Sequence, residues 1–273
     1  MESVGVIYRR RTDDRADFVR RILEIFRPAL EKAKRILVKP NAVSAEPYPT
    51  TTSPELLAAV LGGLRDLGKE VVIADEPAVD ARRKSVFSGP LDAVCRNYGG
   101  KLEALSSAGT RRLRAPRPGA RPLRLYRLAL DCDCRISLPI LKVHGLRSVG
   151  FTGALKNQFS FLSRAGKIAC HIGWRNIHRA IVDVNLIAGP QLVILDAIET
   201  LLGANERRHG GRPGKLGTLL AGSDPAALDR LGFSMLAETG EPKLSGKSAV
   251  DIGYLRLAAA EGLGSDSFRV VDL

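Results

Sequence analysis

Short apolar runs alternate with helical patterns along this chain. Runs rich in β-branched residues and leucine predict strands over Val4–Tyr8, Arg35–Lys39, Glu70–Ala74, Arg135–Leu138, Gln191–Asp196, Thr218–Ala221 and Arg269–Val271. The central runs ILVKP, VVIAD, RISLPI and LVILDAI are apolar without clean alternation. Strands covered on both faces read this way, as in a mainly parallel sheet. Between them, apolar residues spaced for helices occupy 17–32 and 176–186. Ser53-Pro54-Glu55 supplies an N-cap, a first-turn proline and an early acid ahead of LLAAVLGGLRDL, and Gly68 stops that helix. Asp224-Pro225 opens another through Ala226–Leu231 by the same logic. Strands alternating with helices predict a single α/β domain over residues 1–273, its mainly parallel or mixed sheet flanked by helices.

Two stretches interrupt the pattern. Residues 111–127, RRLRAPRPGARPLRLYR, hold seven Arg and three Pro, and predict a basic arm or hairpin inserted into the sheet and exposed to solvent. Residues 205–215, NERRHGGRPGK, hold three Gly and a Pro and predict a mobile loop of the kind that serves as a lid.

Charge adds a partner question. The formal net charge is +13, from 42 Lys and Arg against 29 Asp and Glu. Residues 101–127 alone carry eight bases and one acid. Such a surface attracts nucleic acid, anionic lipid or acidic metabolites, and charge does not choose among them. Aromatic residues are 5% of the chain, few for stacking on bases. No apolar run reaches the roughly 18 to 20 residues that span a bilayer, and the N-terminal MESVGVIYRRRTDD has too short an apolar patch for a signal peptide. A cytoplasmic location with no membrane partner is therefore expected. Cys95, Cys132, Cys134 and Cys170 include no CxxC pair, which favours a reducing compartment and buried, small-hydrophobe roles.

Candidate chemistry gathers at strand ends, where open α/β sheets collect ligands. Lys39-Pro40-Asn41 follows ILV; it reads as an anion clamp or as a strand-ending turn with a snorkelling lysine. The densest stretch is LPILKVHGLRSVGFTGALKNQFSF at 138–161, which contains Lys142, His144, Thr152, Lys156 and Asn157. Gly145, Gly150 and Gly153 would let a ligand approach the backbone. Thr152-Gly153 ahead of ALKN would open a helix whose free N–H groups face an anion. Neither a Walker P-loop nor a GxGxxG fingerprint is present. His144 and His171 are the candidate proton-transfer groups, since cations nearby would lower their pKa; His178 and His209 are weaker candidates. Asp196 ends a buried strand and could orient a histidine, bind a divalent metal or pair with a site lysine. Asp183 reads as a structural ion pair.

Taken together, VKPN at 38–41, LPILKVH at 138–144, VGFTGALKN at 149–157, IVDVN at 181–185, LVILDAI at 192–198, LLAGSDPAALD at 219–229 and GLG at 262–264 resemble the domain of unknown function 362 family. The resemblance spans nearly the whole chain in the family's order. It implies an α/β domain with a shared site at those motifs, and the family's name assigns no reaction. Members often carry a ferredoxin-like module with iron–sulfur clusters. The closely spaced cysteines of that module are missing here, so no cluster is expected in this chain, and a redox role would call for a separate ferredoxin-like partner. Lys39, Asn41, Lys142, Thr152, Lys156 and Asn157 would hold a small anionic substrate with His144 or His171 moving a proton. The competing readings are a nucleic-acid binder using the basic arm, weak and nonspecific under the leading reading, and a metal- or iron–sulfur-linked redox accessory protein. GxSxG and HExxH are absent, which removes ordinary serine hydrolases and zinc peptidases.

Overall fold

The computed structural model describes residues 4–265 and 267–273; residues 1–3 of the N-terminal segment weighed as a leader lie outside them. The strands are β1 (Gly5–Arg11), β2 (Arg35–Pro40), β3 (Glu70–Asp75), β4 (Leu102–Ala104), β5 (Thr110–Leu113), β6 (Leu123–Tyr126), β7 (Cys134–Leu138), β8 (Lys142–Val143), β9 (Phe151–Thr152), β10 (Leu192–Leu202), β11 (Arg212–Gly222) and β12 (Phe268–Asp272). Eight form one sheet in the order β12-β1-β11-β10-β7-β2-β3-β4. β11 runs against the other seven, so the sheet is mixed.

Alternation within the strands explains the two covered faces. Ile36 and Val38 enter a core with the helices Arg15–Leu30 and Pro54–Arg65, while Leu37 enters the opposite core with Ile177–Ala188 and Pro225–Ala237. Leu192 and Ile194 face the first core, and Val193 and Leu195 the second. The central strands β2 and β10 are apolar on both sides because each side is buried, whereas the edge strand β12 has no fully buried residue. The predicted caps form: Ser53 accepts from Leu56 N, and Asp224 from Ala226 and Ala227 N. Asn176 also caps its helix, accepting from Arg179 N. Gly68 has the positive φ of +61° that closes its helix.

From β2 the chain moves outward through β3 to β4. It then returns to place β7 on the other side of β2 and β10 beyond it. Connections therefore diverge between β2 and β7, and a crevice opens beyond the carboxyl ends of those two strands.

The basic stretch 111–127 is a hairpin of β5 and β6, and one face of it is packed rather than solvated. Leu123, Leu125 and Tyr126 are buried, and Ser163 N donates to Arg124 O at 2.8 Å. Arg117 makes two hydrogen bonds, of 2.6 and 2.9 Å, to the buried carboxylate of Asp183. Composition marks this stretch as solvated because it counts the Arg and Pro; the Leu and Tyr between them anchor it. The segment 205–215 divides between a one-turn helix at Arg207–His209 and the start of β11. Glu46 accepts from the N–H groups of Arg207 and Arg208 at 2.8 and 2.9 Å, tying the segment to the β2 loop.

Removing Arg117 would strand Asp183, whose side chain is only 2% exposed. Urea unfolding should show Arg117→Ala losing about 3 kcal/mol. Arg112→Ala and Arg124→Ala on the exposed face should each stay within about 0.5 kcal/mol of the parent. Equal, small losses at all three positions would mean that the Asp183 pair does not anchor the hairpin.

Candidate functional site

The crevice between β2 and β7 holds a cavity of about 400 Å³. Lys39 and Asn41 reach it from the end of β2. Pro40 has no N–H, and the chain beyond it is turned by Thr52, whose Oγ1 accepts from Asn41 N at 2.7 Å and donates to Leu138 O at 2.7 Å. Lys142 and Thr152 come from opposed positions in the β8–β9 pair. Lys156 and Asn157 sit on the single helical turn Ala154–Asn157, and His144 follows β8. His171, at the end of the helix Arg164–His171, forms an exposed part of the rim. All eight of these predicted residues line the one cavity.

Asp196 does not. Its strand alternates: Leu195 faces one core, so Asp196 faces the other, away from the cavity. There it accepts from Arg15 Nε at 2.8 Å, Tyr48 Oη at 3.0 Å and Ile198 N at 3.0 Å. It is a buried ion pair rather than a metal ligand or a partner of the site histidines. Among the described residues, no group of three or more His, Cys, Asp or Glu is placed to hold a metal ion. The four cysteines are buried and free, Cys95 and Cys134 in one core and Cys132 and Cys170 in the other.

Two glycine expectations also change. A Cβ on Gly153 would lie 2.1 Å from Asp229 Oδ1, and one on Gly150 would lie 2.6 Å from Ile252 Cδ1. These glycines admit protein neighbours, not a ligand. Asp229 accepts from Ala154 N at 2.5 Å and Leu155 N at 3.0 Å, so the N-terminus of that turn is already capped. Burial pushes the Asp229 carboxyl up to about 7.

The polar network is centred on Asp75, at the end of β3. Its Oδ1 accepts from Lys39 Nζ at 2.8 Å, Glu76 N at 2.8 Å and Ser160 Oγ at 2.6 Å, and its Oδ2 from Ala42 N at 2.7 Å. Lys39 Nζ also donates to Pro40 O at 2.9 Å and Asn157 Oδ1 at 3.2 Å, which uses all three of its N–H groups. Asn157 Oδ1 accepts from Asn41 Nδ2 at 3.1 Å as well, and its Nδ2 donates to Ser137 Oγ at 2.9 Å. Lys142 Nζ donates to Asn41 Oδ1 at 3.0 Å and Thr50 O at 2.6 Å, leaving one N–H free.

The matched segment is decisive for the family: residues 36–234 fit the model described as Domain of unknown function (DUF362). The chain belongs to this family. A thylakoid-associated protein of Synechocystis sp. is 30% identical over 213 residues, 71% of this chain. The chain spans 60% of that relative's length. The lactate racemase apoprotein from Thermoanaerobacterium thermosaccharolyticum shares the fold, with a TM-score of 0.53 at 16% identity, covering 82% of this chain and 55% of that one. The fold is thus an α/β fold of that kind, and the segments VKPN, LPILKVH and VGFTGALKN, all within the matched range, each contribute residues to the cavity lining.

Sequence reasoning left out several lining residues of the DUF362 cavity: Lys167, Glu206, Asp80 and Ser160. Asp75 and Glu76 were visible as a polar strand end after VVIA. Lys167 stands on a helix of ordinary amphipathic spacing, and nothing local marks it. All four cavity carboxylates are ion-paired, Asp75 with Lys39, Glu76 with Arg83, and Asp80 and Glu206 with Arg208. Lys142, Lys156 and Lys167 have no carboxylate partner among the described residues. Burial pushes Lys142 down to about 7, and burial together with neighbouring cations pushes Lys156 and Lys167 down to about 8.

His144 Nδ1 accepts from Leu146 N at 3.0 Å, so the neutral ring carries its proton on Nε2. Burial, with Lys156 and His171 adding repulsion, holds its pKa well below the usual histidine range. In this state His144 offers a hydrogen-bond donor, not a base. Histidine-selective ¹⁵N spectra should show Nδ1 unprotonated and Nε2 protonated from about pH 8 down to about pH 5.5, below the ordinary histidine pKa. Protonation of both nitrogens near that ordinary pKa would remove the donor assignment.

A second outcome follows from Lys142. The unfolded chain holds a lysine proton up to about pH 10.4, whereas the folded site releases it near 7. This contribution to stability is fully present above about pH 10.4 and is lost as pH falls towards about 7. The stability of the parent relative to Lys142→Met, measured in urea, should therefore rise between pH 7 and 9.5. A pH-independent difference would place the Lys142 pKa at its ordinary value.

Proposed function

We propose that this cleft is the active site of an enzyme acting on a small anionic molecule that carries a carboxylate or phosphate. One observation supports this above others. Three largely buried amino groups converge on one cavity while each carboxylate lining it is ion-paired to another cation, Asp80 and Glu206 sharing Arg208, so that the amino groups outnumber the one carboxylate charge left over. Burying an uncompensated charge is costly, and a ligand anion would relieve that cost.

In this reading Lys142, Lys156 and Lys167 face the anion. Lys39, Asn41 and Asn157, whose groups bond mainly to one another, hold the floor of the cleft in place. Thr152 Oγ1, buried with no hydrogen-bond partner in the structure, is a further donor. His144 Nε2–H would polarise a carbonyl or carboxylate oxygen. His171, on the rim, is the group placed to exchange a proton with solvent, and burial with nearby Lys156 holds its pKa below the usual value. The fold neighbour is by name a racemase of lactate, a small carboxylate, which accords with a ligand of this size. Anion binding favours the charged amines, so affinity should fall as pH rises through about 7 to 8.

Sulfate or phosphate at about a hundredfold its Kd should stabilise the protein by about 2.7 kcal/mol. The gain should disappear in Lys142→Met, Lys167→Met protein and persist when Arg112, Arg121 and Arg124 on the hairpin become Ser. A gain lost with the hairpin arginines and kept in the cleft variant would transfer anion recognition to the basic surface. It would then favour the nucleic-acid reading.

A further inference from the structure

The four lysines of the cavity are not equivalent. Lys39 uses all three N–H groups within the protein, Lys142 uses two, and Lys167 donates to Pro77 O at 3.1 Å. Lys156 has no hydrogen bond or ion pair among the described residues. Its Nζ lies 5.4 Å from the centre of the Phe159 ring, and both residues line the cavity. An amine held by a partner must give up that partner before its lone pair can react. Lys156 gives up only the weak attraction of the Phe159 ring face for its ammonium, with no hydrogen bond or ion pair to break among the described residues.

We propose that Lys156 is a carbonyl-reactive amine that forms an imine with a small 2-oxo acid bound in the cleft. This rests on the anion-binding reading above, which it narrows to a substrate class. The remaining N–H of Lys142 and those of Lys167 would hold the carboxylate. The adjacent carbonyl carbon would then meet Lys156, with His144 Nε2–H available to the carbonyl oxygen. The neutral amine adds through its lone pair to the carbonyl carbon, forming a C–N bond and a carbinolamine. The C–O bond then breaks, and the oxygen leaves as water with the two hydrogens that were on the amine nitrogen. No oxidant or reductant is consumed.

The surroundings favour this chemistry. Apolar neighbours and other cations are the two established ways to make a lysine nucleophilic near neutral pH. Lys156 is desolvated by burial and repelled by Lys167 and Lys39, and the Phe159 ring face beside it accepts no ordinary hydrogen bond that would tie the amine down. With its pKa near 8, roughly a tenth of it is unprotonated at pH 7, against well under a thousandth for an ordinary lysine. Lys142 is more easily deprotonated, but its bonds to Asn41 and Thr50 fix it as a positioning group. A cavity of about 400 Å³ lies at the small end of ligand pockets, which suits an acid of a few carbons.

The test incubates the native protein with pyruvate and sodium borohydride at about pH 7.5, then maps lysine adducts by peptide mass spectrometry. Imine reduction adds the mass of pyruvic acid less one oxygen. Lys156 should be labelled at least tenfold faster than exposed Lys32 or Lys101, and excess sulfate should suppress that labelling alone. Lys156→Arg keeps the charge without the nucleophile and should lose the site-specific adduct. An unlabelled Lys156 in protein that sulfate still stabilises would overturn the imine and leave the anion site standing. Labelling spread over surface lysines would overturn it too. Fast labelling at Lys156 without any sulfate effect would support the amine chemistry and remove the anion reading instead. The wild-type map decides the matter even if the Arg variant fails to fold.

Discussion

The ion pair between Lys39 and Asp75 organises everything around it. Both side chains are almost fully buried, at 1% and 2% exposure, where neither charge would be tolerated alone. The pair joins the ends of β2 and β3 beside the point where the sheet changes direction. Through Asp75 it fixes the backbone of Ala42 and Glu76, and through Asn157 it fixes the helical turn that carries Lys156. A lysine that looks like a ligand clamp in the sequence is therefore the element that sets where the clamp stands. Its own N–H groups are used up in doing so.

Strand alternation decides which strand-end residues share the site. Val38 faces the core under the Arg15–Leu30 helix, so Lys39 turns to the other side, where Asn157 and Ser137 meet it. In β10 the same alternation sends Asp196 toward Arg15. Both residues end apolar runs and look alike in the sequence, yet one position of parity separates a cleft residue from a structural ion pair. The hydrogen bonds of Asp196 to Arg15 and Tyr48 match, on the far face, what Asp75 does near the cavity. Asp75 and Asp196 thus anchor opposite faces of the sheet, and Asp75 adjoins the cavity.

This accounts for what could be read in advance. The seven strands expected from apolar runs all form, the central ones because burial on both faces leaves an unambiguous pattern, and the helix caps at Ser53 and Asp224 are local signals that tertiary structure did not override. The short pairs β8 and β9 could not be read, since two residues carry no periodicity. The β5–β6 stretch was readable as an arm or hairpin, but its packed face was hidden by its arginines. For the site, the Lys, Asn and His residues on VKPN, LPILKVH and VGFTGALKN were legible because they cluster in sequence. Lys167, Asp80 and Glu206 were not, because they come from a separate helix, a loop and a hairpin end that only the folded chain brings together. Which lysine is tied and which is free could not be seen at all. That depends on hydrogen bonds to Thr50 O and Pro77 O, backbone groups with no signature in side-chain sequence.

The cavity also shows why stability and function oppose each other here. Three amino groups without carboxylate partners, two of them almost wholly buried, weaken the folded state wherever they are protonated. The protein answers this in two ways that are distinct in chemistry. Lys142 and Lys167 are solvated by backbone carbonyls, which stabilise an ammonium without neutralising it and so preserve its attraction for an anion. Lys156 is left without a hydrogen-bond partner among the described residues, and burial with the neighbouring Lys167 and Lys39 favours its free amine against the weak pull of the Phe159 ring face. In the proposed reading, attraction for the ligand and reactivity toward it fall on different residues. A single lysine could not serve both ends, because the interactions that keep it charged are those that quench its lone pair.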